Sequence, residues 1–136
     1  MTTKIDALRA FLDTAADITP TRWDEDTFAA GKAEFLVLTD EEADDRVAAY
    51  IADSLWAFRA EFLAHHLVIE DFDAAICVLE ALQEKREGCA NDAILAMVKD
   101  IDMLIEDAIR SDGRGHFLAG YDGVENEQDG LFIYRN

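Results

Sequence analysis

The chain of 136 residues is short of cations, proline, cysteine and histidine, and each scarcity narrows what it can be. Twelve Lys and Arg stand against thirty Asp and Glu, a formal charge of −18. Nucleic acid and anionic membranes are polyanions and repel such a chain, so neither is expected as a direct partner. The partners it favours are cations and basic protein surfaces. Pro20 is the one proline, no linker or low-complexity tract interrupts the sequence, and a single domain spanning 1–136 is expected. Cys77 and Cys89 fit neither a zinc nor a redox spacing and are read as reduced thiols. No run reaches the roughly eighteen apolar residues of a membrane span. The opening MTTKIDALRAF lacks the apolar block of a secretory signal, so a cytoplasmic protein is expected.

What is present is enough to build a core, since 51% of residues are apolar. Ile5, Leu8, Phe11, Leu12, Ala15 and Ala16 recur at helical spacing over 4–17, with Thr3 as N-cap. From Ile18 to Lys32 no clean period appears, and an irregular connection carrying Trp23 is expected. In EFLVLTDEEADD a strand over 34–38 gives way to a helix at Thr39, which forms a capping box with Glu42. That helix is expected to reach about His65 on the stripe Val47, Ile51, Leu55, Phe58 and Phe62. A third runs from about Glu70 to Glu87, with Phe72 inward and Gly88 as its stop; a fourth runs from Asn91 or Asp92 to Ser111 and stops at Gly113.

The last segment holds five of the seven glycines, the turn dipeptides Asp122-Gly123 and Asp129-Gly130, and a strand over 131–135. The fold class expected is therefore α+β, with about four amphipathic helices on one face of a small antiparallel sheet. Residues 34–38 pair with 131–135, and 116–121 is a candidate third strand.

Residues three and four apart on a helix are neighbours, so Asp73, Glu80, Glu84 and Glu87 line one exposed edge of the third helix. Asp100, Glu106 and Asp107 face out from the fourth. Rows of carboxylates on rigid helices imitate a phosphate backbone, whose charges repeat about every 3.4 Å per strand. These seven residues are the candidate partner-binding set. The plainer reading is a solvated acidic surface, which the excess of eighteen Asp over twelve Glu and only four Lys also fits.

A second candidate site is Arg114, His116, Tyr121 and Asp122, an arginine, a histidine, a tyrosine and an acid within nine residues, suited to acid–base chemistry or anion binding. Turn chemistry accounts for its glycines and Asp122 without a substrate. Glu125, Glu127, Asp129 and Gly130 match the opening of a calcium loop, but the flanking helices and the closing carboxylate are missing. Glu61, His65, His66 and Glu70 match neither the zincin nor the di-iron spacing. No metal and no cofactor are expected.

RGHFLAGYDGVENE, with the strand ending in YRN and FLVLTDEEAD upstream, resembles a group of small acidic uncharacterised proteins of tailed phages and prophages. The likeness covers about 34–58 and 106–136. Ala119 and Gly120 stand where serines occur in that group. The resemblance implies expression inside a bacterial host. It also implies, by class, an inhibitor of host nucleases, restriction systems or CRISPR complexes, several of which act as nucleic-acid mimics. The expectation is a non-enzymatic anti-defence protein that binds a basic surface of a host protein. The alternatives are a structural or regulatory interaction module whose acids only solvate it, and an enzyme using 114–122. The oligomeric state stays open.

Overall fold

The apolar run at 34–38 lies at the centre of a sheet, because both of its neighbours supply strands. The computed structural model describes residues 2–13, 17–85 and 88–136. Strand β1 (Ile18–Pro20) pairs with β2 (Thr27–Ala30), β2 with β3 (Ala33–Leu38), β3 with β5 (Leu131–Arg135) and β5 with β4 (Asn126–Gln128). Every pair is antiparallel, in the order β1-β2-β3-β5-β4. The fold is α+β, with seven α-helices among the described residues in place of the expected four.

These elements group into two compact units, 1–47 with 112–136, and 48–111. In the first, α1 (Lys4–Leu12) begins at Thr3, whose hydroxyl accepts the Asp6 N–H at 3.1 Å. The helix stops short of the expected residue 17, with Asp13 in the left-handed region at φ 49°. Residues 14–16 lie outside the described residues. Ala7 and Leu8 of α1 pack with Ile18, Phe28, Phe35, Val37, Leu131 and Ile133 on one face of the sheet. Alternation along the strands turns Leu36, Leu38, Phe132 and Tyr134 to the other face. There the Arg114 guanidinium of α7 (Arg114–Leu118) lies 4.7 Å from the Phe132 ring centroid. So α1 packs on one face and α7 brings the Arg114 side chain to the other, where helices on a single face were expected.

Two expectations in this unit are corrected. Segment 18–32 holds a hairpin: β1 returns as β2 through the 21–26 loop, and β2 then turns into β3 at Gly31-Lys32, between the paired Ala30 and Ala33. Its strands are too short to show a period. Segment 116–121 is no strand: 114–118 are helical, because the chain must return from Gly113 before it reaches β4. The Asp129-Gly130 turn is as expected, with φ of 54° and 81° closing the two-residue β4–β5 hairpin in the type I′ sense.

The capping box opens α2 (Asp40–Asp53): the Thr39 N–H donates to Glu42 Oε1 at 2.9 Å, and the Glu42 N–H to Thr39 Oγ1 at 3.2 Å. The helix expected to continue to His65 breaks at Ser54 into a 3₁₀ turn (Leu55–Ala57) and α3 (Ala60–Ala64). The break is satisfied from a distance. Asn91 Nδ2 donates to the Ala52 carbonyl at 2.7 Å, and Asn91 Oδ1 accepts the Trp56 N–H at 3.2 Å. Of the expected stripe, Val47, Ile51 and Leu55 are fully buried, while beyond the break Phe58 and Phe62 are half-buried and Leu63 takes the inward place.

In the helical unit, α4 (Phe72–Lys85) is followed by α5 (Gly88–Met97) and α6 (Ile101–Asp112). Gly88 opens α5 instead of ending α4, and Phe72 is exposed, its ring against His65 at 4.9 Å between centroids. The helix expected from 92 to 111 breaks at Val98–Asp100. The Lys99 N–H turns to the His66 carbonyl at 2.8 Å, and the Val68 N–H to that of Met97 at 2.8 Å. Leu67, Leu79, Ile94 and Leu104 fill the core of the unit.

Candidate functional site

The acidic face expected on α4 is present. Asp73, Glu80 and Glu84 are exposed, and the helix rise sets them about 10 Å and about 6 Å apart along one edge. None of the three has a cationic partner among the described residues. Glu87 lies outside the described residues. On α6 the expectation holds for Glu106, exposed one turn from the exposed Asp102, which the periodic reading did not single out. Asp100 is not on a helix face. It caps α6, its Oδ1 accepting the N–H groups of Asp102 and Met103 at 3.1 and 3.3 Å. Asp107 is half-buried and engaged: Oδ2 lies 2.9 Å from His66 Nε2, and Oδ1 accepts from Arg110 at 2.9 Å.

The four residues of the 114–122 segment do not converge. The Arg114 side chain is 11% exposed and turns inward. His116 is exposed, its ring edge-on to Phe117 at 5.0 Å. Tyr121 is exposed and its ring carries the Arg135 guanidinium at 3.8 Å. Asp122 accepts the Val124 N–H at 3.0 Å, an Asx turn. Each side chain meets a different partner, and no nucleophile–base pair forms among them.

Arg114 organises a cluster that spacing could not reveal. Its Nε and Nη2 bind both oxygens of Glu125 at 2.8 and 3.2 Å, and Nη1 reaches Asp40 at 2.8 Å and Asp44 at 3.0 Å. The buried Tyr134 hydroxyl donates to Glu125 Oε2. Burial opposes the arginine's charge, but hydrogen bonds to Glu125 and Asp40 outweigh it and raise its pKa above the usual arginine range. Burial, then the Glu125 contact, pushes the Tyr134 hydroxyl well above the ordinary tyrosine value. Glu125, a member of the calcium-like pattern, is thus occupied by an arginine and a phenol. No group of three or more His, Cys, Asp or Glu among the described residues is arranged to hold a metal ion.

A second cluster fixes the 21–26 loop. Arg46 clamps both oxygens of Asp24 at 2.8 and 2.9 Å and reaches Asp26 at 3.1 Å. Asp24 also accepts from the Asp26 N–H at 2.9 Å and Thr27 Oγ1 at 3.1 Å. Lys4 bridges Asp26 and Glu42. Burial alone would lower its pKa, but these two carboxylates hold it above the usual lysine value. The Arg46 hydrogen bonds hold Asp24 down at about 2, and those from Lys4 hold Glu42 low.

A lowered carboxylate pKa stabilises the fold above the unfolded value, and the gain disappears as pH falls through the folded one. Between about pH 4 and about pH 2 the protein is therefore expected to lose the Asp24 contribution. The shift corresponds to just under about 2 kcal/mol once the 21% exposure of the Asp24 side chain is discounted. Urea midpoints followed across that range should fall steeply in the parent. In Asp24→Asn the starting midpoint should be lower and the acid limb shallower; parallel limbs in the two proteins would refute the assignment.

No protein-family model, curated protein or solved structure matches the chain. No helix among the described residues is long and apolar enough to cross a membrane. Both cysteines are free and exposed.

The charge is spread over both units, with seventeen acids and seven bases in 1–47 with 112–136, and thirteen and five in 48–111. Ion pairing takes up part of the charge of the first unit. Asp24, Asp26, Asp40, Glu42, Asp44 and Glu125 all serve internal cations in the first. In the second, Asp73, Glu80 and Glu84, with Asp102 and Glu106, remain open to solvent.

Proposed function

We propose that this protein is a non-catalytic binding protein that occupies a basic surface of a host protein, of the kind a nucleic-acid-binding groove presents. The exposed carboxylates of α4, with Glu106 and Asp102 of α6, make the contact. One observation carries the reading: Asp73, Glu80 and Glu84 stand exposed and without an ion pair among the described residues along one edge of a regular helix, whereas Asp24, Asp26, Asp40, Glu42, Asp44 and Glu125 of the sheet unit are held by Lys4, Arg46 and Arg114. Carboxylates at fixed helical intervals offer a basic groove the charge it evolved to meet, without a base or a sugar. The resemblance of 34–58 and 106–136 to small acidic phage proteins supports an anti-defence setting, with the host cytoplasm as its place of action. A contact of this kind forms fast and weakens with salt, because steering charges are screened over about 8 Å at physiological ionic strength.

The immobilised protein is expected to retain nucleic-acid-binding proteins from bacterial lysate at about 50 mM salt, to release them by about 200 mM, and to release them to added duplex DNA. The triple variant Asp73→Asn, Glu80→Gln, Glu84→Gln should retain far less. Equal retention by parent and variant, or none by the parent, would count decisively against the reading.

A second reading is favoured by the near-even division of charge between the units. In it the protein is a structural or regulatory module and its acids only hydrate it; the triple variant would then lose solubility and no partner. An enzyme built on 114–122 has less support, since Arg114 is committed to Glu125, Asp40 and Asp44.

A further inference from the structure

Trp23 is the most exposed of the large apolar side chains, 71% open to solvent, yet it sits on one of the most heavily braced loops of the chain. Around it the Thr21 N–H donates to the Thr27 carbonyl at 2.9 Å, Thr21 Oγ1 to the Asp24 carbonyl at 3.0 Å, and the Thr27 N–H to that same carbonyl at 3.2 Å. The Val37 N–H takes the Asp26 carbonyl at 2.9 Å, and Arg46 clamps the Asp24 carboxylate from α2. A loop that merely let its tryptophan slip out would not be fastened on both sides of it. Burying an indole removes 150–250 Å² of surface from water, several kcal/mol at about 25 cal/mol per Å², which this loop forgoes. Holding the ring out in a fixed place is how a binding surface presents an anchor without an ordering cost.

The charges around it select the partner. Asp24 and Asp26 are taken by Arg46 and Lys4, while Glu25 is exposed and unpaired among the described residues. An indole face and a free carboxylate two residues apart suit a guanidinium: the ring takes its face and the carboxylate its N–H groups. Arg22, the preceding residue, is also exposed and sets a like charge against any cation, so Glu25 and the overall field must outweigh it. A net charge of −18 draws cations in and repels a second copy of the chain.

We infer that Trp23 with Glu25 forms a preorganised docking point for an arginine side chain of a basic partner protein. This site lies in the sheet unit and involves none of the α4 carboxylates, so it extends the reading above to a second place on the chain and can fail separately.

The chain has two tryptophans, and in a Trp56→Phe background emission reports Trp23 alone. Nona-arginine is the probe, with nona-glutamate as control. Saturable quenching or shift of Trp23 emission by nona-arginine, and none by nona-glutamate, is expected. In the otherwise native chain, followed by anisotropy of a labelled peptide, Trp23→Ala should weaken binding about five-fold or more, within the range of a cation–π contact. Glu25→Gln should weaken it by a smaller, salt-sensitive factor. Trp23 is exposed, so its replacement leaves the denaturation midpoint nearly unchanged, and lost binding is not lost folding. The triple α4 variant should keep the Trp23 response. Peptide binding that leaves Trp23 emission untouched, or survives Trp23→Ala at full strength, overturns the inference while leaving the α4 proposal standing.

Discussion

Replacing Arg114 by Met is expected to lower stability by about 3 kcal/mol, the lower end of the cost of removing one partner from a buried ion pair. The figure is set by Glu125 and not by the number of acids nearby. Asp40 and Asp44 are 72% and 61% exposed, and exposed pairs contribute at most about 1 kcal/mol each. Glu125 is mostly covered, is bound by two nitrogens of the arginine, and shares an oxygen with the buried Tyr134 hydroxyl. Without the guanidinium that carboxylate keeps one phenol as partner and loses its countercharge. Methionine fills much of the same volume over Phe132, so the loss reports charge and hydrogen bonding more than packing. Arg114→Lys should recover part of the loss, since an ammonium restores the charge but cannot grip both carboxylate oxygens in a plane. The deciding measurement is a double-mutant cycle with Glu125→Gln, followed by urea denaturation. In the Arg114→Met background the second substitution removes the stranded charge and should cost little or nothing, giving a coupling of about 2 kcal/mol. Additive losses would mean that the pair does not interact as described.

That cluster also marks where reading the sequence stops. Local devices were legible: the Thr3 cap, the Thr39–Glu42 box, the Asp129-Gly130 hairpin and the pairing of 34–38 with 131–135 each depend on neighbours in sequence or on one apolar run. Helix breaks were not legible, because the groups that compensate them are remote. Nothing near Ser54 announces that Asn91, thirty-nine residues from Ala52, will satisfy the freed carbonyl there. The apolar stripe passes straight through the break, so periodicity reads one helix where the backbone makes three segments. The hairpin β1–β2 escapes a periodic reading for the opposite reason: strands of three and four residues hold too few alternations to stand out.

At the candidate site the same division applies. Exposure of Asp73, Glu80 and Glu84 followed from helical spacing, because that property belongs to one element. Which acids would be neutralised did not, since Arg114 finds Asp40 seventy-four residues away. A single long helix over 92–111 would put Asp100 and Asp107 on its outer face; with the break at 98–100, Asp100 is exposed as the cap of α6 and Asp107 turns to His66. Charge density is a property of composition, but free charge is a property of the fold. Only the second bears on what the protein can bind.

Gly115 provides the other large effect. A Cβ there would lie 2.6 Å from the Gly123 carbonyl oxygen, 2.7 Å from the Glu125 nitrogen and 2.9 Å from the Val124 carbonyl carbon, all backbone atoms. In an unobstructed helix, Gly→Ala would stabilise by about 1 kcal/mol. Here the obstruction dominates, because the neighbour is a main-chain segment held by the Gly123 N–H to the Ala119 carbonyl at 2.8 Å and by the Asp122 Asx turn. Relief requires shifting 123–125, which carries Glu125 away from Arg114 and Tyr134. Gly115→Ala is therefore expected to lower stability by more than about 2 kcal/mol net of the propensity gain, and to weaken the coupling between Arg114 and Glu125. Gly88→Ala is the control within the same protein. It too lies in a helix, but nothing among the described residues stands within 4 Å of the added carbon, and the sign should reverse to a gain of up to about 1 kcal/mol. Urea midpoints of the two variants should thus move in opposite directions from the parent. A Gly115→Ala protein as stable as the parent would show that α7 does not approach the 123–125 segment as closely as described, and the Arg114 cluster would lose the support that holds it together.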